Sequence, residues 1–247
     1  MSRTLAAIFA HPDDETFAMG GTLALHGARG DAFSLYCATD GDAGRASGLP
    51  LHSRAEVGAA RRLELFAALR VLGLPDTPVT FGAHPDGKLP EVDTDRLVGE
   101  IVRFIRERRP AVLVTFGPEG APTGHRDHRA ISRAATAAYF LAARASEYPE
   151  QLAAGLAPHA AARLYYVAWT PVAGAPTRHE SVPPTVAVDT APTHAVEHRA
   201  FLAHRTQLDH IAAFERDCLT ATEEFALVHG VAQPVEIAGG LFEGLGG

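Results

Sequence analysis

Short apolar runs alternate with longer segments of helical pattern up to residue 145. The runs have the length of buried strands and lie at residues 4–9, 31–39, 78–81 and 111–116. The helical segments between and after them lie at residues 20–29, 54–72, 93–108 and 125–143. This alternation predicts an α/β fold in which a mainly parallel, Rossmann-like sheet carries helices on both faces.

The alternation becomes irregular after residue 145, where two further strands and one long helix are predicted. These later elements lie at residues 163–169, 185–188 and 194–214. No internal repeat and no linker is visible in the sequence. We therefore expect a single domain over residues 1–247, with a core at 4–145 and C-terminal strands and helix within 160–230.

The composition is that of a globular protein with an acidic balance. Hydrophobic residues make up 47% of the 247 residues, which is enough for a large core. The net charge of −7 argues against a nucleic-acid-binding surface. No apolar stretch is long enough to span a bilayer, and the first residues lack the pattern of a signal peptide, so we expect a cytoplasmic protein. The two cysteines have no metal-type spacing, so a metal site would use histidine and carboxylate ligands.

An ionisable cluster follows the first predicted strand, where residues 10–15 are Ala-His-Pro-Asp-Asp-Glu. Ligands of open α/β sheets bind at the carboxyl ends of the strands. His11 and Asp14 are three residues apart and close enough to hold one ion, which leaves Asp13 free for another task. Acidic clusters usually lie at the surface and are solvated. This cluster follows a buried strand, which favours a functional site.

A second cluster, His125-Arg126-Asp127-His128, follows the fourth predicted strand and is expected at the same edge of the sheet. A catalytic zinc takes three protein ligands and leaves one position for water. His11, Asp14 and one histidine of the second cluster would supply this set. We favour His128 over His125, because His128 lies one turn into the helix and His125 lies at its start.

The remaining polar residues of the two clusters suit supporting roles in catalysis. Asp127 would orient a ring nitrogen, as carboxylates behind metal ligands do. Asp13 would accept a proton from the attacking water, and His125 would stabilise charge on the substrate oxygen. The alternative for His125 is a helix cap without chemistry, and Arg126 is expected to be a solvated charge.

Taken together, these motifs resemble those of the zinc-dependent LmbE-like or PIG-L deacetylases. The resemblance covers most of residues 4–145 and has a weaker echo at residues 204–207. Its motifs are Ala10-His11-Pro12-Asp13-Asp14-Glu15, Thr39-Asp40-Gly41, Arg61-Xaa-Xaa-Glu64, Thr115-Phe116-Gly117-Pro118 and Gly124-His125-Arg126-Asp127-His128. It implies removal of an acetyl group from an N-acetylglucosamine-type substrate. The implied roles are zinc ligands His11, Asp14 and His128, general base Asp13, and a polarising pair formed by His125 and Asp127.

A long polar connection at residues 41–53 is expected to shape substrate entry, with a mobile surface loop as the alternative. Asp40, Arg45 and Arg61 are the candidate substrate-binding residues near this connection. For Arg61, a structural ion pair with Glu64 is nearly as well supported.

The favoured function is a metal-dependent hydrolase that cleaves an N-acetyl amide on a small-molecule amino sugar. Zinc is the expected ion, although iron(II) and cobalt also accept such ligands. The alternatives are an amidase for another small-molecule amide such as a thiol conjugate, a metal-binding module without catalysis, and a dinucleotide-binding protein. The last would need Gly-Xaa-Gly-Xaa-Xaa-Gly after the first strand, where this chain has acidic residues. No nucleic-acid or membrane partner is expected, and the oligomeric state is left open, with a homo-oligomer among the alternatives.

Overall fold

The structure is a computed structural model that describes residues 3–170, 181–233 and 237–245. Eight strands of these residues form one sheet. They are β1 (Thr4–Phe9), β2 (Ala32–Thr39), β3 (Val79–His84), β4 (Val112–Phe116), β5 (Arg163–Ala168), β6 (Val186–Asp189), β7 (Thr222–His229) and β8 (Ile237–Ala238). Their order across the sheet is β3-β2-β1-β4-β5-β7-β6-β8.

Strands β1 to β5 run parallel to one another, as the sequence predicts. β1 lies between β2 and β4, where Ile8 is aligned with Tyr36 on one side and Thr115 on the other. The apolar side chains of β1 from Leu5 onward are buried, which is why this strand appears as an uninterrupted apolar run. β7 runs antiparallel to both β5 and β6, and β8 is parallel to β6.

The α-helices within the described ranges lie on both faces of the sheet, as predicted. They are α1 (Asp14–Ala28), α2 (Arg54–Val71), α3 (Thr94–Arg108), α4 (Arg126–Ala142), α5 (Pro149–Ala153), α6 (His194–Ala203) and α7 (Ile211–Asp217). α6 packs against α1 and α2, and α3 packs against α4. From β1 to β3 the chain moves across the sheet in one direction, and from β3 to β5 it moves in the opposite direction. Because crossovers between parallel strands are right-handed, α1 and α2 lie on one face of the sheet and α3 and α4 on the other. No helix in the described part of the chain has the length and apolarity of a membrane span.

The strand order reverses between β1 and β4, which are neighbours although two strands separate them in the chain. Such a reversal leaves a crevice at the carboxyl ends of the two strands, because their connections leave in opposite directions. Both ionisable clusters identified in the sequence follow these two strands.

Helix α1 differs from its prediction, because it begins at Asp14 and not at Gly20. It is kinked at Met19, where the backbone leaves helical geometry (φ −160°, ψ 29°). The second part of α1 has its own cap from β7, since Glu223 accepts hydrogen bonds from the N–H groups of Gly21 and Thr22 at 2.7 and 2.8 Å. The glycines that mark a helix start in the sequence therefore mark a kink inside the helix.

The predicted long helix at residues 194–214 is wrong, because α6 ends at Ala203 and a short 3₁₀ turn, Arg205–His210, separates it from α7. The break occurs at His204, whose side chain is fully buried and hydrogen-bonded to Glu15. Sequence analysis also missed β7, whose two adjacent glutamates obscure the pattern of a strand. One of them, Glu223, is buried because it caps α1.

Candidate metal and active site

The two ionisable clusters meet at the carboxyl ends of β1 and β4. The ring of His11 lies 4.9 Å from that of His125 and 5.3 Å from that of His128, measured between centroids. A ring nitrogen from each of the three histidines lies within 4.8 Å of the others, so these groups could hold a metal ion. The structure therefore brings together residues that are more than a hundred positions apart in the sequence.

Asp14 lies between two of these imidazoles. Its Oδ2 accepts hydrogen bonds from the N–H groups of Ala10 and His11 at 3.1 and 2.8 Å, and lies 3.5 Å from His11 Nδ1. Its Oδ1 lies 3.2 Å from His128 Nε2. Burial alone would raise the pKa of Asp14, but His128 and His11 outweigh it and hold that pKa well below its usual value. The carboxylate is thus kept ionised, as a metal ligand must be.

The ring of His128 is held in one plane by Phe116. The two rings are stacked with centroids 3.9 Å apart and an angle of 7° between their planes. Phe116 is the last residue of β4, and His128 lies in the first turn of α4, so the strand end fixes the direction of the imidazole. His128 Nδ1 is buried and has no hydrogen-bond partner among the residues described.

The Nε2 side of the His11 ring faces the carboxylates of Asp86 and Asp127. His11 Nε2 lies 3.0 Å from Asp86 Oδ1 and 3.4 Å from Asp127 Oδ2. The oxygens of Asp127 also accept hydrogen bonds from the N–H groups of Gly87 and Leu89, at 2.7 and 3.1 Å. Burial alone would lower the pKa of His11, but Asp14 and these two carboxylates raise it well above its usual value. Asp127 lies where a carboxylate that orients His11 would be expected.

Asp86 was missed by sequence analysis. It lies in the turn that follows β3, and the signal that the sequence offers is the ionisable groups of His84-Pro85-Asp86-Gly87 at a strand end. Ligand atoms of His11, Asp86 and Asp127 are also close enough to one another for an ion. Each oxygen of Asp127 already accepts an N–H, whereas both N–H bonds of Asp14 go to Oδ2 and leave its Oδ1 open. We therefore place the candidate metal site on the Nδ1 side of His11, towards Asp14.

Asp13 has a different environment from Asp14. Its backbone has φ 113°, in the left-handed region that favours glycine, and its N–H donates to Glu15 Oε2 at 3.0 Å. Its carboxylate pairs with the Arg61 guanidinium, with 3.0 Å between Oδ2 and Nη2. Burial raises the pKa of Asp13 to about 6, although Arg61 opposes this rise. A carboxyl group with such a pKa is a better proton acceptor than an ordinary aspartate and is still mostly ionised at neutral pH.

His125 is the N-cap of α4, as the alternative interpretation expected. Its Nδ1 accepts a hydrogen bond from the N–H of Asp127 at 3.2 Å. In the neutral imidazole the proton is therefore assigned to Nε2. Burial, together with His11 and His128, lowers the pKa of His125. Capping and a role in the site are compatible, because the imidazole has two nitrogens.

Arg61 is buried and pairs with residues other than the predicted Glu64. Its guanidinium donates to the carbonyl oxygens of Gly41 and Pro12, besides its ion pair with Asp13. Glu64 instead accepts hydrogen bonds from Thr206. The alternative interpretation, an ion pair between Arg61 and Glu64, is therefore wrong, and the role of Arg61 in substrate binding stays a prediction.

The connection between β2 and α2 is held to other parts of the chain at two points. The N–H of Ala43 donates to Asp86 at 2.8 Å, and the Ser47 hydroxyl donates to the carbonyl of Thr206 at 2.7 Å. Asp40 is half-buried and paired with Arg62, with 2.6 Å between Oδ1 and Nη2. Arg45 is exposed, and the roles of Asp40 and Arg45 in substrate binding stay predictions.

The fold and the site together define an α/β protein with a candidate metal centre, made of imidazole and carboxylate groups at the switch point of its sheet. A family model described as PIG-L, GlcNAc-PI de-N-acetylase, matches residues 6–139. The chain belongs to this family.

A curated relative from Catenulispora acidiphila is named 1D-myo-inositol 2-acetamido-2-deoxy-alpha-D-glucopyranoside deacetylase 2. It is 33% identical over an alignment of 186 positions, which covers 66% of this chain. The chain spans 60% of the length of that relative.

Two solved structures are similar to this fold with a TM-score of 0.75 and 20% sequence identity each. One is N,N'-diacetylchitobiose deacetylase from Pyrococcus horikoshii, with 92% of this chain and 84% of that one covered. The other is GalB, the 4-carboxy-2-hydroxymuconate hydratase of Pseudomonas putida KT2440, with 94% of this chain and 99% of that one covered. Because the names of these two proteins describe different reactions, the fold does not decide the reaction, which has to be argued from the site.

Proposed function

We propose that this protein is a metal-dependent hydrolase that removes the acetyl group from an N-acetylglucosamine-type substrate and releases acetate. The observation that carries this proposal is the convergence of His11, Asp14 and His128, with Asp13 beside them. The relative from C. acidiphila is named as a deacetylase of an acetamido sugar, which supports the substrate class.

The donor groups fit a zinc ion, because two imidazoles and one ionised carboxylate are a usual ligand set of catalytic zinc. His11, Asp14 and His128 would hold it, and iron(II) or cobalt would be accepted by the same groups. When bound, the metal would polarise the amide carbonyl and make the attacking water more acidic. Asp127 and Asp86 would fix the ring of His11 from its other side.

The residues around this set supply proton transfer and charge stabilisation. Asp13 would accept the proton of the attacking water and pass it to the leaving amine. His125, with its proton on Nε2, would donate a hydrogen bond to the oxygen on which negative charge develops. Arg61 holds the Asp13 carboxylate in place, and Asp40 and Arg45 would contact the sugar.

The test is the release of free amine from a panel of N-acetylated amino sugars, including N-acetylglucosaminyl-inositol, with a thiol-conjugate amide as the competing substrate class. We expect activity to disappear with a strong chelator and to return when zinc is added. Full activity of the fully demetallated protein would contradict the proposal. Preference for the thiol-conjugate amide would favour the amidase alternative.

A further inference from the structure

A buried pair, Glu15 and His204, lies directly behind Asp13. Glu15 Oε2 accepts the hydrogen bond from the Asp13 N–H at 3.0 Å, and Glu15 Oε1 lies 2.9 Å from His204 Nε2. The hydroxyl of Thr16 donates to the same Oε1 at 2.6 Å. Glu15 and His204 are both fully buried, so solvent does not compete for these bonds.

The backbone of Asp13 needs such support. A residue other than glycine in the left-handed region is strained and stays there only when its surroundings hold it. The bond from the Asp13 N–H to Glu15 is one restraint on this conformation, and the Asp13 carbonyl, which accepts from the N–H groups of Thr16 and Phe17, is another. The direction of the Asp13 carboxylate towards Arg61 follows from this backbone conformation.

His204 reaches Glu15 from the C-terminal part of the chain. The backbone leaves helical geometry at this residue, immediately after α6, and thereby turns its side chain inward. Its Nδ1 is buried and has no hydrogen-bond partner among the residues described, so the ring is oriented through its Nε2 contacts with Glu15 and Thr16. A buried imidazole placed in this way orients the Glu15 carboxylate and, through it, Asp13.

We infer that Glu15 and His204 are positioning residues, which hold the Asp13 backbone in the conformation that aims its carboxylate at the reacting water. This inference rests on the proposed function, since it assigns Asp13 the role of the base. Both residues are fully buried behind Asp13, so their loss should lower kcat and leave KM and metal content nearly unchanged. A small displacement of a catalytic group is enough for a large effect on rate.

The experiment compares His204→Leu with His204→Gln. Leucine removes the hydrogen bond, and kcat is expected to fall by about 10- to 100-fold with unchanged metal content. Glutamine carries an amide N–H close to the position of the imidazole Nε2, so it should restore most of kcat. His26→Leu is the matched control, because His26 is equally buried and bonded to Asp31 at 2.8 Å, but belongs to the far end of α1.

Four results would overturn the inference: an unchanged kcat in His204→Leu, loss of its metal, no rescue by glutamine, or an equal loss of kcat in His26→Leu. If His204→Leu does not fold, Glu15→Leu takes its place, since it removes both acceptor oxygens, including the one that bonds the Asp13 N–H. It should lower kcat without changing KM, and an unchanged kcat would overturn the inference. Absence of amide hydrolysis by the wild-type protein would instead overturn the proposed function, before any variant is compared.

Discussion

Asp13 and Asp14 have the same side chain and opposite environments. Asp14 lies between two imidazoles and accepts two backbone hydrogen bonds, which keep it ionised. Asp13 is turned away from these rings towards Arg61, and burial raises its pKa. The positive φ of Asp13 is the reason why the carboxylates of Asp13 and Asp14 point in different directions.

The first prediction separates these two aspartates. Asp14→Ala removes one of three proposed ligands, so metal content and activity should both fall sharply. Asp13→Asn keeps the proposed ligands and removes the proton acceptor, so metal content should stay while kcat falls by about 10²- to 10⁴-fold. Elemental analysis and turnover of each purified variant would decide. A metal-free Asp13→Asn beside a zinc-containing Asp14→Ala would reverse the assignment.

A second prediction concerns Glu197 in α6, which is 1% exposed and whose oxygens have no hydrogen-bond partner in the described ranges. Burial, together with the neighbouring Glu223, raises the pKa of Glu197 to about 10 from an ordinary value of 4.5. The folded protein therefore keeps this carboxyl protonated at a pH where the unfolded chain ionises it. The stability it contributes is fully present below pH 4.5 and falls as pH rises towards 10.

Glu197→Gln carries a neutral side chain of the same shape and should remove this pH dependence. Its free energy of unfolding should exceed that of the wild type by ~5 kcal/mol near pH 8, with almost no difference below pH 4.5. Urea unfolding at several pH values measures the difference. The exposed Glu107→Gln is the control and should change little at any pH. A variant less stable than the wild type at pH 8 would show that Glu197 is ionised in the folded protein.

At the scale of one element, the packing of α1 requires a glycine at position 21, just after the kink of the helix. A Cβ atom added at Gly21 would lie 2.6 Å from the Cβ of Thr190, which is too close for either to keep its place. At Gly20 the added atom would meet the Cγ of Glu197 at 3.0 Å, a contact that a flexible side chain can relieve more easily. The two glycines are therefore not equivalent, although they are adjacent in the sequence.

The third prediction compares Gly21→Ala with Gly20→Ala. Gly21→Ala should destabilise the protein by about 1–3 kcal/mol, the usual cost of overpacking a buried contact. Gly20→Ala should cost less, because Glu197 can shift and alanine favours the helix by about 0.5–1 kcal/mol. Thermal or urea unfolding of both variants measures the order. If the two variants lose the same free energy of unfolding, the side chain of Thr190 can move as freely as that of Glu197.

Across the whole molecule, the sequence predicts the parallel half of the sheet better than the rest. Strands such as β1 and β4 are buried on both faces and appear as apolar runs between clear helices. β7 was missed because Glu223 is buried in it to cap a distant helix, which no local pattern shows. The break after α6 was missed because it depends on the contact of His204 with Glu15, 189 positions away.

The candidate site could be assembled from sequence where its residues form motifs. His11, Asp14 and His128 belong to two clusters, and the structure places them together. Asp86 stands alone in a turn, and only the folded chain shows that it contacts His11. A single acidic residue at a strand end carries too little information to be chosen from many similar positions.

The C-terminal turn after α6 contacts residues that support the candidate site. His204 bonds to Glu15, Thr206 bonds to Glu64, and Gln207 bonds to the carbonyl of Arg45. The first 128 residues of the chain therefore carry the proposed reacting groups. The turn near residue 205 hydrogen-bonds to residues that support those groups. A fragment that stops at residue 145 would retain those groups but lose these three supports, so we expect it to lack the proposed activity.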